Sequence, residues 1–161
     1  MMEENPGIMS YFGTNGVRGR FDELTPELAM RLAQAIGAYF KSGKIILARD
    51  CRLTGDVLRS SVAAGLASVG CHVIDLGIVS SPTAEFMIKR LKADALVIIT
   101  ASHNPPEWNA MKVVDGLGMA ISKERGAQIE KLLGKVRLAP WDNIGKIESY
   151  EMATDEHIMA I

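Results

Sequence analysis

The chain has 161 residues, 48% hydrophobic and 23% charged, and its 18 Lys and Arg against 19 Asp and Glu leave a net charge of −1. That length suits one domain able to bury a real core. The balanced charge leaves no footprint for nucleic acid or an anionic membrane, so neither is an expected partner.

The start, Met1-Met2-Glu3-Glu4-Asn5-Pro6, is acidic and lacks the apolar h-region of a signal peptide. No apolar stretch reaches the length of a membrane span. Cys51 and Cys71 are the only cysteines. They fit no zinc spacing and read as reduced thiols, so a cytoplasmic location is expected.

The first segment, through Phe21, is punctuated by glycine: Phe12-Gly13-Thr14-Asn15-Gly16-Val17-Arg18-Gly19-Arg20. A helix is predicted next, with Thr25 as its cap and Pro26 in its first turn. Leu28, Leu32, Ala35, Ile36 and Tyr39 share one of its faces. Lys44-Ile45-Ile46-Leu47-Ala48 reads as a short strand. Thr54 is the expected cap of a second helix, which carries the stripe Leu58, Val62, Leu66 and Val69. His72 to Leu76 is a further strand. Ser81-Pro82 is expected to open a third helix, and Asp94 to Thr100 a strand after it. Met111-Lys112-Val113-Val114 follows as a strand that turns at Asp115-Gly116. Ser122 caps a last predicted helix with Ile129, Leu132 and Leu133. Ala139 to Ser149 has no periodicity and reads as a linker, and Thr154 to Ile161 turns helical again.

Strands alternating with helices mark parallel βαβ units. The expected fold is a three-layer α/β/α domain with a mostly parallel, four-stranded mixed sheet, its helices on both faces. Residues 1–149 are taken as the domain and 150–161 as a linker and the start of a truncated second one.

The apolar run Ala95-Leu96-Val97-Ile98-Ile99 delivers Thr100-Ala101-Ser102-His103-Asn104-Pro105 to the carboxyl end of a buried strand. Open α/β sheets place ligands there. Ser102 is open to three readings: a hydrolase nucleophile, a phosphate carrier or a turn residue. The first is weak, because no G-x-S-x-G elbow exists and the adjacent His103 is poorly placed in sequence to act as its base. Lys112 has the alternative reading of a solvated strand-end lysine, and Arg49, Asp50 and Arg52 that of an ion-paired strand end. Asn15, Asn104 and Asn109 are expected to hold loop backbone together. No Walker A or G-x-G-x-x-G pattern supports nucleotide binding.

The serine loop, followed by Trp108-Asn109-Ala110-Met111-Lys112, resembles the active-site loop of the α-D-phosphohexomutases. Phe12-Gly13-Thr14-Asn15-Gly16-Val17-Arg18-Gly19 is similar to that family's N-terminal loop. Ala48-Arg49-Asp50-Cys51-Arg52-Leu53-Thr54-Gly55 resembles its G-R-D-T-R-x-S-G segment. The three motifs stand in the family's order. Asn15, Cys51, Trp108 and Ala110 depart from its commoner residues, and none of these removes a proposed reacting group.

The resemblance implies an isomerase, an intramolecular phosphotransferase that interconverts hexose 1- and 6-phosphates through a bound 1,6-bisphosphate. It implies that Ser102 carries the phosphoryl group, and that Mg2+ binds through that phosphate. Lys112 and Arg18 match positions linked to proton transfer and phosphate stabilisation; His103 is expected to orient phosphate or sugar. Thr14, Arg49, Asp50, Arg52, Asn104 and Asn109 are the expected phosphate-binding or loop-supporting residues. The family's magnesium loop is rich in aspartate, and this sequence has no Asp-x-Asp. The remaining domains of a longer chain are therefore expected partners, and the fragment is expected to be inactive alone. A free-standing phosphosugar- or protein-binding domain is the alternative.

Overall fold

The computed structural model describes residues 11–13 and 16–161. Its elements run β1 (Phe12–Gly13), β2 (Gly16–Arg20), α1 (Pro26–Tyr39), β3 (Lys44–Arg49), α2 (Gly55–Ser68), β4 (His72–Ile78), α3 (Ser81–Leu91), β5 (Ala95–Ile99), β6 (Trp108–Asp115), α4 (Lys123–Glu130), β7 (Ile147–Ser149) and α5 (Ala153–Met159). One sheet joins the strands in the order β1-β2-β6-β5-β3-β4-β7.

Every residue of β5 is buried, as a strand covered on both faces requires. Alternation of side chains divides the core in two. Ile45, Leu47, Val73, Val97, Ile99, Met111 and Val113 face α1, α2 and α4. Ile46, Ala48, Ile74, Leu96, Ile98 and Val114 face α3, with Ala153 of α5 beside them. The expected α/β/α layering holds.

The sheet is larger than the four strands expected. β3, β4 and β5 are parallel neighbours, and β7 adds parallel to β4. β6, β2 and β1 join antiparallel on the other side. The added strands come from glycine-rich or linker-like sequence without hydrophobic alternation. β7, exposed at all three positions, is held by backbone pairing at the sheet edge.

Local details refine the predicted boundaries. Thr25 caps α1, its hydroxyl accepting the Leu28 N–H at 3.2 Å. Ser122 likewise caps α4. That helix ends at Glu130, and Leu132 and Leu133 pack on the core from the turn beyond it. α3 opens at Ser81-Pro82 as expected, and Ser80 caps it by accepting the Thr83 N–H. Thr54 makes no side-chain cap for α2. The tail docks on α3: Arg90 pairs with Glu156 at 2.6 Å, and His157 stacks on Phe86 and hydrogen-bonds the Thr83 hydroxyl.

The connection from β3 leads to β4 on one side of the sheet, and that from β5 leads to β6 on the other. The β3–β5 junction is thus a topological switch point, where the loops part and leave a crevice.

Candidate active site

Three loops meet at that crevice: Asp50–Leu53 after β3, Val79–Ser81 after β4, and the loop from Thr100 to Pro106 after β5. Together they line an open cleft of about 590 Å3. Ser102 stands in its wall, exposed, with a left-handed backbone at φ 55°. Its N–H donates to the Thr100 hydroxyl at 3.2 Å. Its own hydroxyl lies 3.4 Å from His103 Nδ1, too long for a strong hydrogen bond. His103 is exposed and is no tightly coupled base for its neighbour.

Arg18 and Lys112 come together through sheet register. Arg18 of β2 sits opposite Ala110 of β6, and Lys112 opposite Ile98 of β5. Residues two apart on a strand share a face, so the cations are diagonal neighbours about 7–8 Å apart at the backbone. Their face is that of Ile98 and Thr100, which also line the cleft. The helix on this face, α3, packs chiefly on β3 and β5, with Val114 the β6 residue in its core cluster. Arg18 is exposed and Lys112 half-buried. Among the described residues neither has a carboxylate partner.

Arg49, Asp50 and Arg52 are bound into the framework beneath the serine loop. Arg49 pairs with Asp56 at 2.6 Å and donates to the Asp50 carbonyl. Asp50 accepts from the Arg52 backbone at 3.1 Å and from Arg52 Nε at 3.0 Å. The Arg52 guanidinium reaches the carbonyls of Ser102, Asn104, Pro105 and Trp108. Asn104 donates its N–H to the Ala101 carbonyl. Asn109 is fully buried, its Oδ1 accepting the Thr54 hydroxyl at 3.0 Å. Thr54 itself has a helical backbone (φ −78°, ψ −8°) in place of the extended one a cap requires, so its hydroxyl does not cap α2. Thr14, with Asn15, lies outside the described residues.

The Val79-Ser80-Ser81 wall of the cleft escaped the sequence reading. The available signal was a serine pair at the end of an apolar strand, the same context that singled out Ser102.

Magnesium prefers oxygen ligands, carboxylates above all. Among the described residues the cleft has one acid, Asp50, and both its oxygens are held by Arg52. No cluster of three His, Cys, Asp or Glu among them fits a metal. The described residues therefore do not make a magnesium site beyond one serine oxygen.

Comparison with known proteins gives a consistent picture. A family profile described as phosphoglucomutase/phosphomannomutase, alpha/beta/alpha domain I, matches residues 9–139. A probable phosphoglucosamine mutase of Thermococcus kodakarensis is 44% identical over 153 residues, covering 93% of this chain and 34% of the relative. A phosphoglucomutase/phosphomannomutase of the same organism is 38% identical over 149 residues, covering 88% and 33%. Among solved structures, a putative phosphomannomutase from Thermus thermophilus superposes with a TM-score of 0.79 at 32% identity, over 92% of this chain and 35% of that one. A phosphoglucomutase/phosphomannomutase family protein from Burkholderia thailandensis superposes with a TM-score of 0.81 at 26% identity, over 92% and 34%. The chain thus spans about a third of the length of these relatives.

Proposed function

Because the chain belongs to the phosphoglucomutase/phosphomannomutase family, as its α/β/α domain I, we propose that it is the phosphoserine-bearing part of a larger hexose-phosphate mutase. The observation that carries this reading is the placing of Ser102. It lines a switch-point cleft, and two cations without carboxylate partners among the described residues share the sheet face on which that cleft opens.

In the proposed reaction Ser102 Oγ carries a phosphoryl group at rest. A hydroxyl of a hexose monophosphate attacks the phosphorus. The bond to Oγ breaks, a bond to the sugar oxygen forms, and the hydroxyl proton leaves towards Lys112, from which Oγ recovers one as it departs. The resulting 1,6-bisphosphate reorients and returns its other phosphate to Ser102. Phosphoryl transfer is catalysed chiefly by positioning and by neutralising oxygen charge. Arg18, always protonated, serves the second need, and the framework under the serine loop serves the first. His103, exposed beside Ser102, is assigned to orienting phosphate or sugar.

Mg2+ bound through the phosphoserine supplies Lewis-acid stabilisation, with its other ligands drawn from outside this chain. The remaining domains of a longer cytoplasmic protein are proposed to complete the metal site and choose among glucose, mannose and glucosamine phosphates. The domain itself is assigned to residues 1–149, with 150–161 leading onward. Residues 150–161 nevertheless dock on α3.

The test is a glucose 1-phosphate to glucose 6-phosphate assay on two proteins. The full-length protein containing this chain turns substrate over and loses activity in Ser102→Ala. The 161-residue chain alone does not turn it over. Turnover by the short chain, or an active Ser102→Ala full-length variant, overturns the proposal.

A further inference from the structure

Resting on the mutase reading of the same cleft, we propose that Arg52 is a positioning residue that sets the Ser102 loop and binds no ligand itself. Arginine has five N–H donors and no acceptor. Here all five are occupied. Nε donates to Asp50 Oδ2 at 3.0 Å. Nη1 donates to the carbonyls of Pro105 and Trp108 at 2.7 and 3.1 Å, and Nη2 to those of Ser102 and Asn104 at 3.0 and 2.9 Å. A phosphate can take an N–H from this guanidinium only by displacing a loop carbonyl. Arg52 lines the cleft, yet it has nothing left to offer a ligand.

The loop needs an outside anchor. Pro105 and Pro106 bring no N–H, and the carbonyls of Asn104 and Pro105 belong to the peptide bonds that they close. Among the described residues the loop's own backbone bonds are few: Asn104 to Ala101 and Trp108 to Pro105, both at 3.0 Å. Ser102 also holds a left-handed φ of 55°, which a residue with a side chain keeps only when its surroundings impose it. Arg52 grips the carbonyl on Ser102 and three more beyond it.

The grip has a direction. In a planar trans peptide the N–H points opposite the C=O. Turning the Ser102 carbonyl onto the guanidinium turns the His103 N–H away from it. That N–H donates to no acceptor among the described residues. Arg52 thereby gathers the loop's negative ends beneath it and leaves one amide donor beside the reacting serine. Asp50 holds the fork by its Nε edge and by the Arg52 backbone.

The test compares Arg52→Lys and Arg52→Met with wild type in the full-length protein. The rate of phosphoryl transfer from glucose 1,6-bisphosphate to Ser102 is followed by mass spectrometry across bisphosphate concentrations. Amide exchange of residues 100–108 is measured in the 161-residue chain. Both variants are expected to lose roughly 100-fold in saturated rate, the scale of a misplaced reacting group. Half-saturation is expected to move less than about twofold, because ligand contacts are untouched. The loop amides exchange faster, and lysine rescues neither readout, because a point charge cannot span four carbonyls. A wild-type rate in Arg52→Lys, or a raised half-saturation with an unchanged rate, overturns the proposal. Should the Arg52 variants not fold, Asp50→Asn loosens the brace and leaves the fork. Unchanged loop exchange and rate in that variant contradict the clamp. Absence of phosphate on wild-type Ser102 sinks the mutase reading instead, and loop exchange still decides the role of Arg52.

Discussion

Ser102 holds its left-handed φ of 55° at a cost of about 1–3 kcal/mol. One hydrogen bond from a charged donor contributes about 1.5–3 kcal/mol, so the four from Arg52 to the loop outweigh that strain. The serine was legible in the sequence, because an apolar strand followed by a polar, proline-closed loop marks its own location. For Arg52 the sequence left phosphate binding, loop support and an ion-paired strand end open. Its acceptors are main-chain carbonyls 50 to 56 residues away, and carbonyls carry no sequence signature. Lys112 and Arg18 lay between these cases: each was visible as a cation, but their meeting depends on an antiparallel register. If Lys112 moves the substrate proton, Lys112→Met in the full-length enzyme lowers kcat by roughly 100-fold or more with little change in KM. A kcat within a few-fold of wild type returns Lys112 to an ordinary strand-end lysine. The cysteines give a test on the short chain. Cys51 is exposed; burial, aided by the charge of Asp94, pushes the Cys71 thiol up to about 12. One thiol should react with iodoacetamide in native protein at pH 8 and two in denaturant. Rapid native labelling of Cys71 contradicts the packing.

At the scale of elements, α1 and α2 approach closely because small residues line their crossing. A Cβ on Gly65 stands 2.5 Å from the Met30 carbonyl oxygen and 2.8 Å from the Ala33 Cβ. Glycine to alanine inside an exposed helix gains about 1 kcal/mol. Overpacking a tight contact costs about 1–3 kcal/mol, and here the obstacle is backbone. Gly65→Ala is therefore expected to lower stability, by about 1–2 kcal/mol in urea denaturation, against the propensity trend. A stabilised variant rules out the crossing as described. The turn after β6 supplies a pH dependence. Burial pushes the Asp115 carboxyl up, but Arg125 at 2.6 Å and the amides of Met119 and Leu117 outweigh it and hold it below its usual range. A carboxylate depressed in the folded state contributes its full stability above the unfolded pKa of about 3.9. That contribution is lost as pH falls through the lower folded value. Asp115→Asn should cost a constant amount of stability above about pH 4, and that deficit should shrink as pH falls, so the variant's acid limb is flatter than wild type's. An acid limb as steep as wild type removes Asp115 from the account.

On the scale of the whole molecule, the central parallel strands and both helix layers followed from hydrophobic periodicity. β1, β2 and β7 did not, because short outer strands of two to five residues in glycine-rich or polar sequence rely on backbone pairing rather than alternation. The cleft was legible as a strand-end location; its shape was not, because the Val79–Ser81 wall belongs to a different βα connection. The chain spans about a third of its relatives, and its only cleft carboxylate among the described residues is bound to Arg52. Both facts fit the proposal that other domains complete the chemistry. The most direct measurement is the fate of phosphate on Ser102. Full-length protein is treated with glucose 1,6-bisphosphate, digested and mapped, then chased with unlabelled hexose monophosphate. The account predicts one phosphate, on Ser102, that leaves for the sugar during the chase. Phosphate on another residue, or on Ser102 but not discharged to sugar, contradicts it.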